Sequence, residues 1–298
     1  MIGNQRCRLV AEMAPPNHRV PKLFDFFDLT GRVAIITGGA GLLGFYHGEI
    51  LAAAGANVVL LDLAVADPAR RAEQIQTTHG PECLGICVDI TDEPSLMQAR
   101  DQILARFGRI DILINNAANN PKVETADGAT SQAWSRLENL PLQVWHDDLN
   151  VGLTGAFLCA RTFGAQMVKQ KSGVIVNVAS DLALIAPDQR LYRVDGVPEH
   201  LQPVKPVTYS VVKTALIGLT RYLATYWAND NIRVNAISPG GVLNGQPEVF
   251  LSRLEQLIPM GRMAHKDEYQ GAILFLCSDA SSYMTGANLV IDGGRTCL

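Results

Sequence analysis

The chain predicts an α/β fold: one doubly wound parallel sheet of about seven strands with helices on both faces. Three observations predict it. Short apolar runs alternate with longer helical stretches from residue 33 to the C-terminus. The runs read as strands buried on both faces, and the stretches between them as the crossovers that parallel strands need. A cluster of glycines joins the first run to the first helical stretch. Finally, 298 residues, 48% of them hydrophobic, are ample for one sizeable core, and no linker, repeat or second strand–helix series divides them.

Taken in order, residues 1–28 read as a loosely ordered N-terminal extension. Pro15, Pro16 and Pro21 interrupt it, and no period emerges, although Leu23, Phe24, Phe26 and Phe27 can pack on the domain edge. The domain proper spans 29–298. Residues 33–37 are a buried strand, and 42–54 the helix that follows the glycines. A strand over 57–62, a helix over 68–80, a strand over 84–88, a helix over 93–107 and a strand over 111–114 continue the alternation. The polar stretch 119–141 shows no period. A long helix occupies 142–170, with a break near Asn150, and leads to a strand over 173–178. Residues 181–206, with four prolines, form a long loop. Then come a helix over 207–228, a strand over 232–237, a helix over 266–278 and a last strand over 288–291. Right-handed crossovers wind these strands into one sheet.

Composition excludes several classes. The net charge is −4 and no basic patch stands out, so no nucleic-acid partner is expected. No apolar run approaches the ~20 residues that span a bilayer, and Arg6 and Arg8 are followed by no apolar leader, so a cytoplasmic protein without a membrane contact is expected. The six cysteines form no C-x-x-C pair and read as reduced thiols. The six histidines are scattered without ligand spacing, so no metal is expected.

Two constellations carry chemistry. The first is Thr37-Gly-Gly-Ala-Gly-Leu-Leu-Gly44, between a strand and a helix. Gly38, Gly41 and Gly44 permit a tight turn and close approach of a pyrophosphate, which the helix N-terminus favours with unpaired N–H groups. Asp62 ends the second strand, where a carboxylate can accept hydrogen bonds from ribose hydroxyls and repels a 2′-phosphate. No Lys or Arg lies between Asp62 and Asp67, so NAD is favoured over NADP. The second is Tyr209-Ser-Val-Val-Lys213, which puts a phenol and an ammonium on one helix face. A nearby Lys⁺ favours the phenolate, and a phenol so tuned can exchange a proton with an alcohol or ketone.

From about Leu29 to Asp292 the chain resembles the short-chain dehydrogenase/reductase family. The glycine turn, Asp62, Asp89, Asn115-Asn-Ala-Ala118, Asn150, Asn177-Val-Ala-Ser180, Tyr209-x-x-x-Lys213 and Asn235-Ala-Ile-Ser-Pro-Gly240 occur in the family's order. The resemblance implies a Rossmann-type dehydrogenase. In it Asn150, Ser180, Tyr209 and Lys213 form the catalytic set: Tyr209 is the acid/base, Lys213 lowers its pKa and binds the nicotinamide ribose, Ser180 hydrogen-bonds the reacting oxygen, and Asn150 holds a relay water. It also implies that Gly38, Gly41, Leu43, Gly44, Asp62, Asp89, Ile90, Asn116, Ala117, Pro239, Gly240 and Val242 border the cofactor, Asp89 near the adenine and Val242 at the carboxamide. The chain departs from the classical pattern at Leu42, which stands where the middle glycine is usual, at Ala118 and at Asn244. The spacing Gly38-x-x-Gly41-x-x-Gly44 is closer to the extended, sugar-nucleotide-modifying branch.

Ser180 and Tyr209 are separated by a longer loop than the family's simpler members have, so 181–206 returns to the site at both ends. It and the 119–141 segment are the expected substrate loops, with Ser180, Asp181, Gln189, Arg190 and Asn120 as candidate contacts; a surface loop or an oligomer contact is the competing reading of 181–206. Arg190 can pair bidentately with a phosphate or carboxylate. Segments around Tyr209, Arg221–Ala228 and the C-terminus resemble bacterial surface-glycan dehydrogenases of the flagellin-modification and legionaminic-acid type. That resemblance implies a sugar or sugar-phosphate substrate. The alternatives are a polyol or hydroxy-acid (gluconate-type) dehydrogenase and, from another class, a catalytically silent dinucleotide-binding protein. The resemblance also implies a homotetramer or homodimer.

Overall fold

The computed structural model describes residues 23–119 and 132–298. Seven strands, β1 (Val33–Thr37), β2 (Asn57–Asp62), β3 (Cys83–Cys87), β4 (Ile112–Asn115), β5 (Gly173–Val178), β6 (Ile232–Pro239) and β7 (Asn288–Ile291), form one sheet in the order β3-β2-β1-β4-β5-β6-β7. Every neighbouring pair is parallel. The winding direction reverses between β1 and β4, and loops leaving their C-terminal ends must part there, which opens a crevice.

Among the described residues there are eight α-helices: α1 (Leu42–Ala53), α2 (Pro68–His79), α3 (Glu93–Phe107), α4 (Leu142–Leu149), α5 (Gly155–Gln170), α6 (Val207–Tyr226), α7 (Glu248–Glu255) and α8 (Gln270–Cys277). Because side chains alternate along a strand, β1 feeds two cores. Val33 and Ile35 join Leu96 and Ile103 of α3, Phe163 of α5 and Trp227 beyond α6. Ala34 and Ile36 join Leu51 of α1, Ile75 of α2 and Ile273 of α8 on the other face. β1, β4 and β5 are buried along their whole length, which is why they are mostly apolar rather than alternating, with Thr37, Asn115 and Asn177 as the polar exceptions near their C-terminal ends. None of the helices among the described residues is long and apolar enough to cross a membrane.

The break expected near Asn150 is a π-helical turn, Asn150–Thr154, between α4 and α5. It brings Gly152 against α6 so tightly that a Cβ there would lie 2.5 Å from Val212 Cγ1. Strands β3 and β4 are displaced by one residue from the sequence reading, β6 runs on to Pro239, and α8 starts at Gln270 rather than 266. Helix α7 is not anticipated. Pro247 opens it, and Phe250, Leu251 and Leu254 pack with Leu191, Tyr192, Ile258 and Met263 in a third small cluster.

Through Leu191 and Tyr192 that cluster anchors part of the 181–206 loop. It holds three 3₁₀ turns, Asp181–Ala183, Gln189–Tyr192 and Glu199–Leu201. Gln202 sews it together, accepting from Val194 N (2.9 Å) and donating to Val197 O (2.6 Å). Helix α7 clamps it, with Arg253 Nη1 donating to Arg193 O at 2.7 Å. Of the residues expected to anchor the N-terminal extension, Phe24 and Phe26 stay exposed at 80% and 39%. Residues 1–22 and most of the 119–141 segment, Asn120 included, lie outside the described residues.

Candidate active site

A cleft of about 570 Å³ opens above the C-terminal ends of β1, β4, β5 and β6. One end is built on the glycine turn. Gly38 has φ +60°, and a Cβ on it would sit 2.9 Å from Ala117 Cα; a Cβ on Gly44 would sit 2.2 Å from Gly38 O. Asn116 braces this turn from β4, donating through Nδ2 to Thr37 O (3.0 Å) and Gly38 O (3.1 Å). Thr37 Oγ1 in turn accepts from the backbone N–H of Asn116 and of Ala117. No side chain caps the N-terminus of α1, whose Leu42 and Leu43 line the cleft beside Gly41. Asp62 lines the same end, one carboxylate oxygen accepting from Ala40 N (3.0 Å) and the other from Leu63 N (2.9 Å). This cradle fits a dinucleotide: side chains are excluded where a pyrophosphate needs the backbone, helix N–H groups are uncapped, and a carboxylate stands where a ribose would end.

Two expected cofactor neighbours, Asp89 and Ile90, are not in the lining of the cleft. Asp89 is exposed and turned onto Thr91, accepting from its N (2.9 Å) and Oγ1 (2.7 Å). Ile90 is 7% exposed in the core, against Gly155. Pro239, Gly240 and Val242 do line the cleft. Gly240 O accepts from Tyr269 Oη (3.2 Å), and Val242 O accepts from Gln246 Nε2 (2.8 Å), which fixes the wall after β6.

The other end gathers Ser180, Tyr209 and Lys213. Lys213 is 5% exposed. Its Nζ donates to Val178 O at 2.7 Å and lies 5.8 Å from the Tyr209 ring centroid. A second ammonium, Lys205, is nearer, 4.0 Å from the same centroid. Burial holds each ammonium down to about 8; Lys205 adds to the depression of Lys213, while Asp148 and Asp181 resist that of Lys205. The phenol departs from the sequence expectation. The resemblance implies that Lys213 lowers the pKa of Tyr209, yet that pKa is raised, because burial penalises the phenolate more than the Ser180 hydrogen bond favours it, and Asp181 adds repulsion.

Asp181 is the centre of a buried cluster. Its Oδ1 accepts from Ser180 Oγ (2.8 Å) and Leu182 N (2.8 Å), and its Oδ2 from Arg295 Nη1 (2.7 Å). The other loop candidates do not reach the cleft. Arg190 is turned to solvent, 79% exposed, and forks onto Asp188 at 2.6–3.1 Å. The reason is local: Asp188 caps the turn that starts with Gln189, two residues from the guanidinium it captures. Gln189 spends its amide on the backbone of Lys205, accepting from N at 2.8 Å. Asn150 is exposed at the head of the π turn and does not line the cleft; its O accepts from Gly155 N.

Sequence reasoning missed Lys205, Arg295 and the α7 wall of Phe250 and Leu254, all of which line the cleft. Lys205 stands four residues before Tyr209, a spacing that could have drawn notice. Arg295 carries no local signal, because 114 residues separate it from Asp181.

The chain matches the short chain dehydrogenase family over residues 32–191 and the family described as Enoyl-(Acyl carrier protein) reductase over residues 199–296. It is similar to the D-threitol dehydrogenase of Mycolicibacterium smegmatis, at 36% identity over 92% of this chain and 95% of that protein. It is similar also to the NAD-dependent glycerol dehydrogenase of Listeria innocua, at 34% identity over 91% and 96%. Among solved structures, a gluconate 5-dehydrogenase from Burkholderia cenocepacia J2315 in complex with NADP and tartrate superposes with a TM-score of 0.80 at 28% identity, over 93% of this chain and 100% of that one.

Proposed function

The chain belongs to the short-chain dehydrogenase/reductase family, and on that premise we propose that it is an NAD-dependent dehydrogenase interconverting a secondary hydroxyl of a small polyol and the corresponding ketone. The observation that carries this reading is the convergence of Ser180, Tyr209 and Lys213 at one end of a cleft whose other end is the glycine turn and Asp62. Polyol dehydrogenases among the relatives support it. The cleft also mixes acceptors and donors, with Ser180, Asp181, Asn244 and Gln246 beside Lys205 and Arg295, as a polyhydroxylated substrate needs.

A bound nicotinamide dinucleotide supplies the hydride acceptor. Tyr209 takes the proton of the substrate hydroxyl as the alcohol is oxidised and returns it in the reverse direction. Ser180 hydrogen-bonds the same oxygen. Lys213, anchored on Val178 O beside the phenol, favours its ionised form once the site is filled. Asp62 supports NAD because a carboxylate at the end of β2 repels a 2′-phosphate. Asp62→Ser should lower the NAD-over-NADP ratio of kcat/KM at least tenfold, as steady-state rates with both cofactors would show; an unchanged ratio removes the basis for the preference.

The surface-glycan sugar-phosphate reading loses its main support, since the guanidinium assigned to the phosphate, Arg190, is held by Asp188 outside the cleft. A hydroxy-acid substrate is the second reading. The cations Lys205 and Arg295 in the wall favour it, as does the similar enzyme solved with tartrate. A panel of tetritols, pentitols, glycerol and sugar acids separates the two. We also read the protein as a homo-oligomer, supported by the exposed, stacked rings of Tyr222 and Tyr226 on α6.

A further inference from the structure

We infer that Arg295 is a positioning residue of this active site: by pairing with Asp181 it neutralises the carboxylate that holds the Ser180 hydroxyl, and so sets how readily Tyr209 gives up its proton. The inference rests on the dehydrogenase reading above and deepens it.

Asp181 follows Ser180 directly and is 3% exposed. One of its oxygens takes the Ser180 hydroxyl at 2.8 Å, and the other takes Arg295 Nη1 at 2.7 Å. Both ends of the ion pair are buried, with side chains 8% and 4% exposed, and both line the cleft. In so dry a place a bare carboxylate would act strongly on its neighbours, far more than a solvated one. The guanidinium is delivered by a built turn. After β7, Asp292 accepts from Gly294 N (2.9 Å) and Thr296 N (2.7 Å), which fixes the backbone on both sides of Arg295. The C-terminal turn thus reaches the reacting groups through a single carboxylate.

The charged and titratable groups around the phenol come from five elements. Lys205 precedes α6, with Asp148 of α4 acting on it. Lys213 lies one turn further along α6. Ser180 and Asp181 follow β5, and Asp181 opposes ionisation of the phenol. Tyr269, at the N-terminal cap of α8, feels Asp181 too. Arg295 lies behind Asp181, with Asp188 in its field. Removing Arg295 alone therefore leaves an extra negative charge facing Tyr209. Removing Asp181 alone leaves an extra positive one. Removing both returns the net charge to where it began.

That order of signs is the test, and it needs no substrate. Tyr209 is titrated by ultraviolet difference spectroscopy, each protein being read against the same protein carrying Tyr209→Phe. Arg295→Gln should weaken the phenol's acidity about tenfold, Asp181→Asn should strengthen it, and Asp181→Asn with Arg295→Gln should sit near wild type. Arg295→Lys keeps the charge and should also stay near wild type; it carries the test with the double variant if Arg295→Gln does not fold. The pH midpoint of kcat for polyol oxidation should move in the same order. A Tyr209 midpoint that stays put in Arg295→Gln, or that shifts upward equally in the double variant, overturns the inference and leaves Arg295 a packing residue. Failure of the dehydrogenase reading would show separately, as wild-type protein that turns over no alcohol.

Discussion

Two ammonium groups flank Tyr209, and both are held near 8 by burial. With the phenol itself raised, alcohol oxidation should speed up as pH rises from neutrality, because the base form of Tyr209 gains population. Lys205 adds to the depression of Lys213, so Lys205→Met should move the Lys213 step of the kcat profile upward from about 8; an unmoved step would restrict Lys205 to packing. At this scale the sequence was legible wherever chemistry lies in short spacings: Tyr209 with Lys213, and the glycine turn with Asp62. It was illegible where partners are remote, as for Arg295 and Asp181. It misled at Arg190, whose charge an adjacent aspartate absorbs.

At the scale of elements, the joint between β1 and α1 is the most constrained. A methyl on Gly44 would meet Gly38 O at 2.2 Å and Asn116 Nδ2 at 2.9 Å, so Gly44→Ala must open the turn that cradles the dinucleotide. NAD affinity measured by fluorescence quenching should fall more than about tenfold, and unchanged affinity would detach the cofactor from this turn. Helix α1 carries a further signature. His47 is 1% exposed, both ring nitrogens lack a hydrogen-bond partner among the described residues, and burial pushes its pKa down to about 3 from 6.5. Between those values the unfolded chain binds the proton and the folded one does not. The stability tied to neutral His47 is therefore whole above pH 6.5 and is lost as pH falls toward 3. Urea unfolding should show a loss of up to about 1.4 kcal/mol per pH unit in that window, flattened in His47→Leu; equal slopes in the two proteins would contradict it. The strands were readable because sheets buried on both faces demand continuous apolar runs. The break at Asn150 showed as a polar residue within a long helical period. Helix α7 escaped notice because its apolar residues pack on a loop cluster far away in sequence, although Pro247 and the Phe250–Leu254 spacing were available as signals.

On the scale of the whole molecule, the parallel sheet follows from the alternation of elements, and its strand order brings residues 38, 41–43, 62, 116–118, 178–182, 209, 213 and 239–242 to one crevice. Assembly depends instead on what the outer helices leave exposed. Tyr222 and Tyr226 stack at 5.7 Å and are 62% and 64% exposed. Sedimentation should give a dimer or tetramer, weakened by the joint change Tyr222→Ser with Tyr226→Ser; a wild-type monomer would refute the oligomer. If one cleft joins an NAD cradle to a tyrosine acid/base acting on a polyol, NADH formation across tetritols, pentitols and glycerol, with wild type and Tyr209→Phe side by side, should show turnover with at least one of these polyols, lowered about 10²- to 10⁴-fold in kcat by Tyr209→Phe while NAD still binds. Turnover that survives Tyr209→Phe intact, or tight NAD binding with no polyol or hydroxy acid oxidised, would contradict it.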